Sequence, residues 1–129
     1  MPEVSEFAIQ RAYVMWFNGE PWQAGPLKGT WKIQPAKRPG VIGFHVPNGG
    51  TRSAIEGARL KQSGVLAGVP DWCMLWGRLH CIEFKRPGGA LSPAQIALHP
   101  QLIAAGAWVV TVDSLEAAKA QTREWGLAT

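Results

Sequence analysis

This 129-residue chain has little charge, almost no cysteine and no long apolar run. Asp, Glu, Lys and Arg make up only 17% of it, which argues against large-scale disorder. The apolar run Ala12 to Phe17 is far too short to span a bilayer, and no basic leader precedes it. A disulfide between the two cysteines, Cys73 and Cys81, would be possible but strained and nothing indicates export, and without paired histidines they do not make a zinc site. They are expected to be reduced, buried and small, in a cytoplasmic protein. No internal repeat and no low-complexity tract is present. One absence is local: no acidic residue occurs between Pro21 and Ile55.

What is there fits one domain over 1–129, since 47% hydrophobic content supplies one core. The net charge is +4 and the pI about 9.4, values compatible with a polyanionic partner. The acid-free stretch holds Lys28, Lys32, Lys37, Arg38 and Arg52, with Trp22 and Trp31 among them. Such interleaving can track phosphates and stack on bases. It equally describes a packed surface loop pinned by its tryptophans.

Periodicity and turn residues give an order of helix, strand, helix, hairpin, helix, strand, helix. The first helix runs from Ser5 to Phe17 with Glu6, Gln10 and Tyr13 on one stripe and Phe7, Val14 and Met15 on an apolar flank. Asn18-Gly19 ends it. Pro21, Pro26, Pro35 and Pro39 interrupt 19–40, where no period is sustained. A strand from Val41 to Val46 leads into the turn Pro47-Asn48-Gly49-Gly50. Ser53 caps a helix through Gln62, closed by Gly64. Ser92, with Pro93 at the first helical position, caps a third helix that Pro100 is expected to kink or divide. Gln95 lies in its first turn, where its amide can reach back towards the hairpin. Ala107 to Val112 reads as an interior strand. Asp113-x-x-Glu116 reads as a capping box for a helix to Trp125.

The hairpin is Trp72 to Leu75, a break at Trp76-Gly77-Arg78, then Leu79 to Phe84. With the turn centred on Gly77, Asp71 falls opposite Glu83, Cys73 opposite Cys81, and Lys85 shares the carboxylates' face. His80 points to the other face. Two carboxylates amid apolar strands are costly to bury unpaired. A divalent cation between them, with the lysine aimed at a phosphate or a water, removes that cost and makes a catalyst.

The residues then carry a family resemblance. Glu6 with Gln10, His45-Val46-Pro47-Asn48-Gly49-Gly50 with Arg52, and Gly57 with Leu60-Lys61 before Gly64 form the first blocks. Gly68-Val69-Pro70-Asp71, Glu83-Phe84-Lys85, and Ser92 with Gln95 complete them. In that order they resemble a stand-alone VRR-NUC domain, the virus-type replication-repair branch of the PD-(D/E)xK nucleases. The resemblance implies an α/β, restriction-endonuclease-like core, a central mixed β-sheet flanked by helices. It implies Asp71 and Glu83 as ligands of Mg²⁺ or Mn²⁺, with the carbonyl of Phe84 as a third. Lys85 would orient the attacking water and steady phosphate charge. Glu6 would reach the metal through water, and Gln95 would position the lysine or the water. His45, Asn48, Gly49, Arg52, Lys61 and Arg86 are the candidate DNA contacts.

The function implied is metal-dependent endonuclease action on DNA, on branched forms such as four-way junctions, by a homodimer in a bacterial or phage-infected cell. The alternatives are an inactive DNA-binding module and a partner-dependent subunit of a recombination or packaging machine. For the dimer, the run Tyr13 to Phe17 covers every face of a helix, and Trp125 and Leu127 are expected to add apolar surface that needs a neighbour.

Overall fold

A computed structural model describes residues 4–21, 31–47 and 53–129. Each of its helices opens on a serine. Ser5, Ser53, Ser92 and Ser114 are extended, and their side chains accept the N–H of Ala8, Glu56, Gln95 and Ala117. Each bond satisfies one of the donors a helix start leaves over and contributes about 1 kcal/mol. The helices are α1 Glu6–Asn18, α2 Ala54–Gln62, α3 Pro93–Ala104 and α4 Leu115–Glu124. Two expectations are corrected here. The cap of α4 is Ser114, not Asp113, and Pro100 does not divide α3, which continues through it. A proline inside a helix costs about 3 kcal/mol. The Ser92–Gln95 capping box and the burial of Leu98 and His99 keep α3 in one piece despite it.

The strands are β1 Glu20–Pro21, β2 Trp31–Ile33, β3 Ile42–His45, β4 Trp72–Trp76, β5 Arg78–Phe84 and β6 Trp108–Val112. β1 and β2 pair antiparallel, structure that the aperiodic 19–40 stretch did not announce. Gly19 makes that approach possible: at φ 78° a Cβ there would lie 2.5 Å from the carbonyl oxygen of Ile33. The remaining strands form a mixed sheet in the order β3-β4-β5-β6, flanked by the helices. β6 is therefore an edge strand rather than an interior one, and Trp108 is 48% exposed. Its ring is shielded by the Arg78 guanidinium at 5.5 Å and the His80 ring at 6.1 Å, so an apolar run survives on an edge.

Two compact units divide the chain. One comprises Met1–Ile42, Phe84–Gly89 and Thr111–Thr129. Its core is the stripe Ile9, Tyr13 and Phe17 of α1 with Phe84, Val41, Val112 and Leu127. Tyr13 packs on Phe84 at 5.3 Å between ring centres, and its hydroxyl meets that of Thr122 on α4 at 2.7 Å. Burying each large side chain contributes about 1.5–3 kcal/mol. Phe7, expected on the apolar flank, is 71% exposed, while Leu127 is fully buried and needs no external neighbour.

The other unit comprises Gly43–Glu83 and Ala90–Val110. Trp72, Cys73, Met74, Cys81 and Ile82 of the hairpin form its core with Leu98 of α3. The hairpin base is buried and its tip exposed, with Leu75 and Trp76 at the open end.

Candidate active site

The β4–β5 register fixes the carboxylates. Trp72 pairs with Ile82, Cys73 with Cys81 and Trp76 with Arg78, a hairpin centred on Gly77 as the sequence indicates. Continued one residue beyond the last pair, this register would set Asp71 against Glu83, on the face of the two cysteines. Glu83 is buried and Asp71 partly so. The cysteines are reduced, with sulfurs 3.6 Å apart. The hydrogen bond from Cys81 holds the Cys73 thiol below the usual cysteine range, against burial and the negative charge of Asp71. The same bond, with burial, pushes Cys81 well above it.

Asp71 is held through its backbone. Its carbonyl accepts the Nδ1–H of His45 at 2.7 Å and the N–H of Val46 at 3.0 Å. His45, a candidate DNA contact, is thus committed at one nitrogen to the segment that carries Asp71. Gly68 has φ +92°, and a Cβ there would sit 2.6 Å from the carbonyl carbon of Ala94 in the first turn of α3. That close approach is a physical reason for glycine at the head of Gly68-Val69-Pro70-Asp71.

α3 also supplies a residue to which sequence reasoning assigned no partner. His99 is buried, with Nε2 3.5 Å from Oε1 of Glu83. Gln95, the expected amide, is engaged at the helix start: its Oε1 accepts the N–H of Ser92 at 2.8 Å. Position i+4 from Gln95 in a helix was the available signal for His99, since both then lie on one face.

In the unit that holds α1, Lys85 faces Glu6, with Nζ 3.8 Å from Oε1. Lys85 is mostly covered and Glu6 half exposed. Tyr13, two turns along α1 from Glu6, is seated on Phe84, the residue before Lys85. The N–H of Lys85 bonds the Val112 carbonyl at 2.8 Å, which fixes the backbone there.

The remaining candidates are less gathered. Asn48, Gly49 and Arg52 lie outside the described residues, as do Trp22 and Lys28. Lys61 and Arg86 are exposed, on α2 and in the loop after β5. Lys37 reaches the Val41 carbonyl at 3.2 Å and Arg38 the Gly126 carbonyl at 3.5 Å, which favours the packed-loop reading for these two.

Among the described residues, no three or more His, Cys, Asp and Glu side chains are grouped to hold a metal ion. A pair of carboxylates is what Mg²⁺ usually takes from protein, the rest of its shell being water and phosphate oxygen. Asp71 and Glu83 offer hard oxygen donors on one face, and a buried carboxylate opposite a second one favours a cation. These two residues fit such an ion.

An α/β fold with a central four-stranded mixed sheet flanked by helices matches a restriction-endonuclease-like core. Among solved structures, the chain is similar to one described as a VRR_NUC domain protein. The TM-score is 0.68 at 19% identity, over 96% of this chain and 89% of that one. At that identity the likeness is one of fold alone. No protein-family model matches the sequence, and no curated protein does. No helix of the described residues is long and apolar enough to cross a membrane.

Proposed function

We propose that the chain is a metal-dependent DNA endonuclease, one nuclease domain over 1–129 that hydrolyses phosphodiester bonds. The observation that supports this reading is the hairpin register, which if continued one residue past its last pair sets Asp71 against Glu83, within a fold similar to that of a VRR_NUC domain protein. Asp71 and Glu83, with the carbonyl of Phe84, are the residues to hold Mg²⁺ or Mn²⁺. The ion supplies Lewis acidity towards water and phosphate. Lys85 donates to the water or to a phosphate oxygen, and Glu6 keeps its ammonium from wandering. Gln95 retains an amide for positioning the water or the lysine. His45, Asn48, Gly49, Arg52, Lys61 and Arg86 are the proposed DNA contacts, in a chain of net charge +4.

The finer reading is branched DNA, four-way junctions included, cut by a homodimer with one site per chain. Exposed Phe7, and a groove that Met15 and Trp16 line with Ile33, support a second copy packing on α1. Light scattering is expected to return twice the 14.0 kDa of one chain, unchanged by moderate salt. A value of one chain at micromolar concentration would leave paired cutting dependent on assembly on DNA.

The deciding experiment is cleavage of labelled duplex, flap, single-stranded and four-way substrates with Mg²⁺, Mn²⁺ or EDTA. Metal-dependent cuts that favour the four-way substrate are expected, and none with EDTA. Binding without cutting under every metal would instead indicate an inactive DNA-binding module or a subunit that needs a partner.

A further inference from the structure

The site reading leaves one buried polar side chain unused. His99 lies in the middle of α3, a helix of mostly apolar residues, yet it is buried beside the carboxylate of Glu83. The side chains are 8% and 2% exposed, so water does little to offset the carboxylate's charge. At 3.5 Å Nε2 approaches one oxygen, Oε1, without meeting the geometry of a hydrogen bond to it, so a small turn of either side chain is needed to make one. No three His, Cys, Asp or Glu side chains among the described residues are grouped as ligands, so His99 is not itself placed as one.

The helix that carries His99 is seated independently. The backbone of Ala94 lies against Gly68, three residues before Asp71, closely enough that a Cβ would clash. Ser92 and Gln95 lock the turn between them with reciprocal bonds of 3.2 and 2.8 Å. α3 therefore meets the segment leading to Asp71 through its first turn, and Glu83 through its middle.

We infer that His99 is a positioning residue for Glu83: its Nε2–H restrains Oε1 and turns the other carboxylate oxygen to the cation. The inference rests on the reading of Asp71 and Glu83 as metal ligands. Groups that orient a ligating carboxylate typically change metal affinity by about 10–100-fold when removed. A purely structural histidine would change melting temperature and leave affinity alone.

The test is calorimetric titration of Mn²⁺, without DNA, into the full chain and three variants whose folding is checked by circular dichroism. His99→Gln keeps an N–H at the reach of Nε2 and is expected to bind within about threefold of the parent, while His99→Asn falls short of Oε1 and should weaken binding about tenfold or more. Asp71→Asn tests the reading beneath. If it binds Mn²⁺ as the parent does, the metal-site reading and this inference both fall. If Asp71→Asn loses binding but His99→Asn does not, the metal site stands and the role of His99 is overturned. Equal loss in the Asn and Gln variants also overturns it. Should His99→Asn not fold, His99→Gln decides alone: a folded Gln variant weakened tenfold sinks the proposal, and parental affinity there, with loss in Asp71→Asn, supports it.

Discussion

Two carboxylate–nitrogen contacts, one in each unit, have nearly the same length and opposite settings. Glu83 meets His99 at 3.5 Å with both side chains almost wholly covered, while Glu6 meets Lys85 at 3.8 Å with Glu6 47% exposed. Coulomb's law makes distance a minor difference and the surrounding dielectric the main one. Breaking a buried pair by removing one partner costs about 3–5 kcal/mol, whereas an exposed pair contributes about 0–1 kcal/mol. The first contact is thus a fixture and the second an adjustable one. A ligand carboxylate gains from being fixed, and a lysine that must meet an arriving phosphate gains from a partner it can leave.

Mutations can break or sharpen that contrast. The largest stability change is expected for His99→Leu, which puts an apolar side chain beside the buried carboxylate in place of a polar one. A loss of about 3–5 kcal/mol should appear in urea unfolding, and a loss below 1 kcal/mol would put both contacts in one class. Gly68→Ala comes next. It forces a side chain onto the backbone of Ala94 at a positive φ, and a loss of about 2–3 kcal/mol is expected. Glu6→Gln should change stability by no more than about 1 kcal/mol. Under the nuclease reading it should nevertheless slow cleavage, and a thermal melt beside a single-turnover assay separates the two effects. The smallest effect is expected from Lys37→Ala with Arg38→Ala, whose cationic ends rest on the carbonyls of Val41 and Gly126. The slope of log K against log salt for duplex DNA should move by less than the roughly 0.9 that one lost phosphate contact gives. A change near 1.8 would return this segment to the DNA-contact reading.

The fixed contact and the adjustable one were unequally legible in the sequence. The hairpin could be read because strand alternation has a period of two, and a slip of one residue would have sent Asp71 and Glu83 to opposite faces. Gly77 marked the turn, so the facing of Cys73 and Cys81 followed. The caps Ser53 and Ser92 were legible because they are local chemistry, whereas at α4 the capping pattern pointed one residue early, to Asp113 instead of Ser114. His99 was not assigned a partner, because which strand a helix face meets is decided by packing and not by spacing. The edge position of β6 was hidden likewise: Trp108 looks like core until its shielding by Arg78 and His80 is seen. Leu127 looked like surface in need of a neighbour, but it is held in the core beside α4.

The bond between the hydroxyls of Tyr13 and Thr122 joins residues 109 positions apart. A chain emerging from the ribosome makes α1 first and the residues that clasp it last. The closure of so long a loop is an entropic cost met only when α4 has been synthesised. Glu6 travels with α1, so the partner of Lys85 settles into place among the final steps of folding. An arrested chain lacking residues 115–129 should therefore leave α1 open to protease while the hairpin is already formed.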